Sequence, residues 1–223
     1  MRQIPLSLTL PSEQDIKAFF VTGANQLAYN WIEAWPDWPA PYQAVNIYGP
    51  KGCGKTHLGQ LFSKKAHVKS LDQLRVFHRD DFTDYDAILL DGVTDDNSWD
   101  EESLFHLINY LAETQKSALI TSHEPLSQMP WRLPDLKSRM RAIASQNVEM
   151  PDDDLLLALL EDYFTRRQCQ VADPALRYIV ARLERSYEAV ANIVQAIDRL
   201  SLAQKRAITT ALIKPLFEQG ESS

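Results

Sequence analysis

The sequence is poor in the residues that mark several classes of protein. It has 2 cysteines among 223 residues, Cys53 and Cys169, which are too few and too far apart for a disulfide framework or a zinc site. Its 7 glycines exclude a collagen-like or low-complexity chain. No apolar run approaches the roughly 18 residues needed to cross a bilayer, and the N-terminus does not resemble a signal peptide. These absences predict a cytoplasmic protein with no membrane contact.

The chain is also short of positive charge. Its formal net charge of −7 argues against a protein whose main task is to coat DNA. The charge is uneven, because residues 163–223 carry nine Lys and Arg against six Asp and Glu, or +3, which leaves −10 for residues 1–162. Dedicated DNA-binding domains are usually far more basic than this C-terminal part, so direct binding to duplex DNA is not favoured.

Apolar runs alternate with helical periodicity in the first two thirds of the chain. Short apolar runs are typical of strands buried on both faces of a parallel sheet, and they occur at 45–48, 87–90 and 118–121, with a last strand beginning at 142–144. Helical patterns follow at 57–66 and 101–116. Strands that alternate with helices predict an α/β fold with a parallel sheet.

The character of the sequence changes near residue 150. Beyond Pro151 only helical patterns remain, including one that starts at the N-cap candidate Asp173 and others at about 187–201 and 209–218. The expected organisation is an N-terminal segment, an α/β nucleotide-binding domain and a small all-helical domain, at residues 1–19, 20–150 and 151–223.

The most specific motif is GPKGCGKT at residues 49–56, a full match to G-x-x-x-x-G-K-[ST]. Its glycines let the backbone wrap with N–H groups directed at phosphate oxygens, and the following helix adds its positive end. Lys55 is expected to reach the β- and γ-phosphates, and the Thr56 hydroxyl to bind Mg²⁺. The nucleotide contacts predicted from this loop are Gly52, Cys53, Gly54, Lys55 and Thr56.

Such a loop needs a second acidic anchor for the metal on a neighbouring strand. Asp91 follows the apolar run 87–90 and is assigned to the Mg²⁺ shell. Gly92 then stands where many ATPases carry the glutamate that activates the attacking water. The acidic residues that follow come several positions late and are typical of a solvated loop and helix cap, namely Asp95, Asp96, Glu101 and Glu102. The sequence therefore favours nucleotide binding and argues against fast intrinsic hydrolysis.

With both phosphate motifs placed, the chain resembles an AAA+ ATPase and, more narrowly, the DnaA replication-initiator family. The loop with its trailing His57 is similar to the extended P-loop of that family, and FVTGANQLA at 20–28 resembles its upstream motif, which lines the adenine pocket. LITSH at 119–123 resembles the sensor 1 strand, and LKSR at 136–139 resembles the arginine-finger box.

This resemblance implies a P-loop sheet flanked by helices and followed by a helical lid, with ADP or ATP and Mg²⁺ as cofactors. The further site residues that it implies are Val21, Asn25, His57, Ser122 and Arg139.

Two departures from DnaA are informative. At the place of the sensor 2 arginine, the segment 185–190 has Glu188, which leaves Arg185, one turn away, as the substitute for the nucleotide contact. The basic helix-turn-helix domain that follows the lid in DnaA has no counterpart before Ser223. In this respect the chain resembles the Hda-like regulators that inactivate DnaA.

The N-terminal peptide QIPLSL at residues 3–8 is similar to the sliding-clamp-binding peptide of Hda-like proteins. In an extended peptide held in a groove, Gln3 would bind a polar pocket while Leu6 and Leu8 fill an apolar one. An edge strand or a tail explains the same hexapeptide when it is considered alone. Beside a DnaA-like module, clamp binding is the favoured interpretation.

The implied function is regulatory inactivation of DnaA. Tethered to a clamp on DNA, the protein would insert Arg139 into the nucleotide site of an adjacent ATP–DnaA and stimulate hydrolysis there. Contact with DNA is then indirect, and association with further copies is a second expectation. The nearby Arg132 and Arg141 are weaker candidates, because only Arg139 has the LKSR context.

Two other functions stay open. One is a self-sufficient AAA+ ATPase that acts as a DNA-replication or transposition loader, against which Gly92 counts. The other is a binding module with an inactive nucleotide site, against which the intact Lys55–Thr56 pair counts.

Overall fold

The computed structural model describes residues 19–94, 98–167, 169–204 and 208–218, without the side chains of 201–204 and 218. The described chain divides into two compact units after Asp152, close to the expected boundary at 150. Phe20 belongs with the second unit, where it packs against the helical core. Within these described stretches, no helix combines the length and apolar character that crossing a membrane requires.

The first unit is built on a five-stranded sheet in the order β2-β3-β4-β1-β5, with every neighbouring pair parallel. Its strands are β1 Ala44–Tyr48, β2 Val68–Leu71, β3 Ala87–Val93, β4 Ser117–Ser122 and β5 Ala144–Asn147. The three central strands are the apolar runs of the sequence, which confirms the predicted parallel α/β fold. The edge strand β2 was not predicted, since its side chains are half-buried or exposed and its pattern is weak.

Helices cover both faces of this sheet. They are α1 Gln26–Glu33, α2 Lys55–Phe62, α3 Glu101–Thr114 and α4 Pro134–Ala142, with a short 3-10 helix at Arg79–Phe82. Helix α2 ends earlier than predicted, at Phe62, and α3 ends where Gln115 adopts a left-handed φ of 55°. Sequence periodicity missed α4, because only Leu136 and Met140 are buried along it.

Alternating residues of β3 and β4 face opposite sides of the sheet. Ile88, Leu90 and Ile120 belong to one core cluster with α3 and α4. On the other side, a Cβ at Gly59 of α2 would lie 3.1 Å from Leu89 Cδ2, so α2 packs closely against β3. Asp91 shares the face of Leu89, because side chains two positions apart on a strand point the same way.

The described part of the second unit consists of four helices, which confirms the predicted all-helical domain. They are α5 Asp153–Arg166, α6 Asp173–Val180, α7 Tyr187–Gln204 and α8 Thr210–Glu218. Their core includes Leu156, Leu160, Tyr163, Ile179 and Val194. Asp173 is the first helical residue of α6 and Ala172 is its N-cap, so the predicted N-cap was one residue late.

Candidate functional site

The GPKGCGKT loop connects the end of β1 to the start of α2, and its glycines are needed there. Gly52 and Gly54 have φ angles of 85° and 104°, which side chains rarely adopt. A Cβ on Gly49 would come within 2.3 Å of the Val148 carbonyl oxygen. The loop therefore curls tightly against the end of β5, and α2 begins at Lys55 directly behind it.

Lys55 crosses the loop that precedes it. Its Nζ donates to the carbonyl oxygens of Gly49 at 2.7 Å and Pro50 at 2.9 Å. The Cys53 thiol is buried at the same place, 3.8 Å from that ammonium. Burial raises the pKa of Cys53 and the nearby Lys55 charge opposes the rise. Cys53 thus remains a thiol that fills the loop.

Thr56 and Asp91 are brought together from two different elements. The Thr56 hydroxyl lies 3.4 Å from Asp91 Oδ2, so α2 and β3 place the two predicted metal ligands side by side. A hydroxyl and a carboxylate are oxygen donors of the kind that Mg²⁺ prefers.

A second hydroxyl, which the sequence analysis missed, completes this group. Thr121 at the end of β4 is fully buried, and its Oγ1 donates to Asp91 Oδ1 at 2.6 Å. The same oxygen accepts the Gly92 N–H at 2.7 Å. The pairing register shifts between Leu90 and Val93, so Asp91 and Gly92 form a bulge opposite Thr121. Thr121 therefore fixes both the carboxylate and the bulge.

Replacing Thr121 by Val is expected to loosen the Asp91 carboxylate. The valine has nearly the same shape but removes the hydrogen-bond partner of the half-buried Asp91 carboxylate and of the Gly92 N–H, at a cost of about 1–3 kcal/mol. Denaturant unfolding should show this loss, and the dependence of nucleotide affinity on Mg²⁺ should weaken. Thr121→Ser keeps the hydroxyl and serves as the control. Equal Mg²⁺ dependence in the Val variant would contradict this role.

Ser122, the predicted sensor residue, lies on the opposite face from Asp91. Its hydroxyl accepts from Asn46 Nδ2 at 2.8 Å and donates to the Glu124 carbonyl at 2.6 Å. The fully buried Asn46 also accepts from the Leu126 N–H and the Ser145 hydroxyl. This network ties β1, β4 and β5 together beside the loop. Its geometry favours Thr121 over Ser122 as the neighbour of Asp91, and nucleotide contact by Ser122 stays a prediction.

Gly92 brings no side chain to the site, and its backbone is held in an unusual conformation. Its φ is 78°, its N–H donates to Thr121, and its carbonyl oxygen accepts from Trp99 Nε1 at 3.2 Å. The carboxylate of Glu101 is occupied elsewhere, because it accepts the backbone N–H groups of Arg132 and Leu133. Asp95 and Asp96 lie outside the described residues.

The upstream motif lies beside the loop through the end of β5. Asn25 is buried, and its Oδ1 accepts the Thr22 N–H at 3.0 Å. The Ala24 carbonyl accepts the Glu149 N–H at 3.2 Å, one residue after the Val148 carbonyl that faces Gly49. Val21 is 38% exposed, and His57 is buried on α2. Adenine contact by Val21 and Asn25 and nucleotide contact by His57 stay predictions.

Arg139 lies on α4 with its guanidinium close to two aromatic rings. Its Cζ is 4.6 Å from the ring centroid of Phe105 and 5.9 Å from that of Tyr42. Arg132 and Arg141 are exposed, whereas Arg139 is half-buried.

The remaining predicted residues lie elsewhere. Arg185 is in the second unit, where it forms an ion pair of 2.8 Å with Asp153 between two exposed side chains. Its contact with nucleotide stays a prediction. Glu188 is exposed on the first turn of α7. Gln3, Leu6 and Leu8 lie outside the described residues.

Comparisons with known proteins agree with this geometry. A family model described as the Hda lid domain matches residues 152–217. The chain is 25% identical to the chromosomal replication initiator protein DnaA of Lacticaseibacillus casei strain BL23, over 87% of this chain and 49% of that protein. The chain is therefore similar to DnaA over most of its length and to Hda in its lid domain. It spans about half the length of the DnaA proteins that it matches.

Solved structures of DnaA have the same fold as this Hda-like chain. Domain III of Thermotoga maritima DnaA aligns over 92% of this chain and 95% of that domain, with a TM-score of 0.72 and 17% identity. AMPPCP-bound DnaA from Aquifex aeolicus aligns over 81% of this chain and 63% of that one, with a TM-score of 0.62 and 19% identity. At these identities the likeness establishes the AAA+ fold, which confirms the fold expected from the motifs.

The residues of the Hda-like chain fit a magnesium nucleotide. The left-handed glycines and the close approach at Gly49 give a backbone cradle suited to phosphate. Lys55 would supply the cation, and the adjacent oxygens of Thr56 and Asp91 would be the ligands for Mg²⁺. The bound nucleotide would provide phosphates for this cradle, while the chain supplies the charge and the oriented N–H groups.

Proposed function

We propose that this protein binds ADP or ATP and stimulates hydrolysis of ATP held by a DnaA-type initiator. Arg139 is the arginine finger that acts on the initiator, and the peptide at residues 3–8 tethers the protein to a sliding clamp on DNA. ATP-bound initiator is thereby converted to its ADP form, and initiation of replication stops.

The observation that carries this proposal is the presentation of Arg139. Phe105 and Tyr42 lie against its guanidinium, while the guanidinium N–H groups of Arg139 have no hydrogen-bond or ion-pair partner among the described residues. An arginine held in place with unused donors suits the binding of a phosphoryl group. The lack of a side chain at Gly92 is also consistent with a protein that acts on the nucleotide of a partner.

In this mechanism the chain's own groups do two things. The guanidinium of Arg139 neutralises negative charge that develops on the transferred phosphoryl group, an effect of about 10³–10⁵ in rate for arginine fingers of GTPases. Lys55 and the glycine loop hold the chain's own nucleotide, without a carboxylate at position 92 to activate water. Binding of AMPPCP by the DnaA structure from Aquifex aeolicus supports an adenine nucleotide as the ligand.

The clamp tether would raise the local concentration of the protein near DnaA. A tethered partner has an effective concentration set by the geometry of the tether, in the millimolar range for short flexible connections. The residues for this contact are Gln3, Leu6 and Leu8, in the extended peptide-in-groove mode.

The test of this function is hydrolysis of ATP held on DnaA, with and without DNA-loaded clamp. We expect wild type to stimulate strongly only when the clamp is on DNA, and Gln3→Ala to lose about tenfold or more at low protein concentration, because the tether no longer raises the local concentration. At high concentration Gln3→Ala should recover, since Arg139 is intact. Thr9→Ala, just outside the peptide, is the matched control. Equal stimulation by wild type with and without DNA-loaded clamp would contradict the tether.

A second candidate is a self-sufficient AAA+ ATPase that loads proteins onto DNA. The proximity of Thr56 and Asp91 favours it, because that pair completes a metal site in the chain itself. This function requires ATP turnover by the purified protein alone, stimulated by single-stranded DNA. Turnover indistinguishable from buffer would remove it.

A further inference from the structure

Helix α3 contacts α4 at two points that are one helical turn apart. Glu101, the first residue of α3, accepts the N–H groups of Arg132 at 3.0 Å and Leu133 at 2.7 Å, directly before α4 begins at Pro134. Four residues later on the same helix, Phe105 lies under the guanidinium of Arg139. Residues i and i+4 share a helix face, so one face of α3 fixes both the start of α4 and its arginine.

Arg79, another arginine of the first unit, has contacts typical of a structural role and can be compared with Arg139. Its Cζ lies 5.1 Å from the ring centroid of Tyr110, and its Nη1 donates to Glu113 Oε2 at 2.8 Å. Arg79 thus makes both a ring contact and a hydrogen bond to a carboxylate within the protein. Arg139 has two rings near it but no acceptor among the described residues, which leaves its N–H edge for a ligand.

We propose that Phe105, with Tyr42, is a positioning residue for Arg139. The rings hold the guanidinium plane through cation–π contact and stacking, which leaves the donors at its edge unobstructed. The ordering of a long side chain is then complete before the reaction begins, so less entropy is lost when the guanidinium engages the phosphoryl group in the transition state. This inference rests on the proposed role of Arg139 as an arginine finger.

The orientation of Arg139 can be measured without DnaA. In ¹⁵N relaxation of the full chain, the Arg139 Nε–H should have an order parameter near that of rigid backbone, about 0.8, and it should fall below about 0.6 in Phe105→Leu. Phe105→Trp keeps an aromatic face and should retain the wild-type value. Glu102→Ala, which changes an exposed side chain of the same helix, is the matched control. Equal order in wild type and Phe105→Leu would overturn the proposal.

The second measurement connects this order to function. Phe105→Leu should lower the maximal stimulated rate of ATP hydrolysis on DnaA about tenfold, while the half-saturating protein concentration and the chain's own ADP affinity stay unchanged. A merely structural role would lower ADP affinity and thermal stability together with the rate. An increase in rate would show that the rings hold the arginine away from its target, and would overturn the proposal.

Failure of the proposed function gives a different pattern. If wild type stimulates nothing but Arg139 loses order in Phe105→Leu, the positioning contact stands and the finger role fails. If wild type stimulates and Phe105→Leu does so equally, the finger role stands and the positioning role fails.

Discussion

Replacing Arg139 by Ala is expected to lower the stimulated hydrolysis of DnaA-bound ATP by about 10³-fold or more, the lower end of arginine-finger effects. The guanidinium is the group proposed to stabilise the phosphoryl charge, so its removal takes away the chemical contribution of this protein. Binding to DNA-loaded clamp and to ADP should be unchanged. The measurement is single-turnover hydrolysis together with affinity titrations of both ligands.

The controls for Arg139 come from its own helix and its neighbouring loop. Arg141→Ala and Arg132→Ala remove exposed arginines nearby and should keep most of the stimulation. Arg139→Lys keeps the charge but loses the flat, forked donor set, so it should remain strongly impaired. Full stimulation by Arg139→Ala would place the finger elsewhere. A collapse of thermal stability in that variant would instead indicate a structural role, since a cation–π contact contributes only about 1 kcal/mol.

Replacing Lys55 by Ala is expected to lower the affinity of the chain for ADP and ATP by at least about a hundredfold. Two charge-assisted hydrogen bonds of about 1.5 kcal/mol each make about 3 kcal/mol, which corresponds to that factor. Lys55 Nζ lies against the loop carbonyls of Gly49 and Pro50, so the ammonium is already in the concave part of the loop. Titration with a fluorescent ADP analogue measures the change.

The matched control for Lys55 is Lys51, an exposed lysine of the same loop. Lys51→Ala removes an equal charge and should change affinity by less than about threefold, because an exposed charge is screened by solvent. Thermal unfolding of both variants without nucleotide verifies that the fold is retained. Equal affinity losses in the two variants would mean that net charge, and not the position of Lys55, governs binding. Unchanged affinity in Lys55→Ala would contradict the role of Lys55, whereas no measurable binding of ADP or ATP by wild type would support an inactive nucleotide site.

The parts of the site that the sequence predicted are those with short-range physical causes. The spacing of the phosphate loop is fixed because the backbone conformation of one turn requires each glycine and the lysine at its position. Asp91 was found because it ends a buried apolar run, and the carboxyl ends of parallel strands meet at one edge of the sheet. Strands β1, β3 and β4 were predictable from the sequence because burial on both faces makes them continuously apolar.

What the sequence did not predict depends on which way side chains point. Thr121 and Ser122 are adjacent and chemically alike, and only the register of β4 against β3 decides that Thr121 meets Asp91. A one-residue bulge at Asp91 and Gly92 adds to this difficulty, because period-2 alternation fails there. Side-chain alternation along β3 from Leu89 to Asp91 favours Thr121 as the neighbour of Asp91. No strong sequence pattern indicates the bulge itself.

Arg139 was harder to identify from the sequence. Its motif LKSR was visible, but Arg132 and Arg141 were distinguishable from Arg139 only by family resemblance. In the structure the distinction is physical, because Phe105 and Tyr42, from distant parts of the sequence, converge on Arg139 alone of the three. Contacts of this kind depend on how α3 and α4 pack, which local sequence does not encode.

The central claim is that this protein acts on the nucleotide of DnaA, and single-turnover hydrolysis tests it most directly. DnaA carrying labelled ATP is mixed with DNA-loaded clamp and with this protein, whose own site has been filled with unlabelled ADP. The account predicts rapid conversion of the labelled ATP to labelled ADP. It predicts negligible conversion when either this protein or the clamp is omitted. No acceleration by wild type would contradict the account, and turnover of ATP by the chain alone would make the loader the first hypothesis.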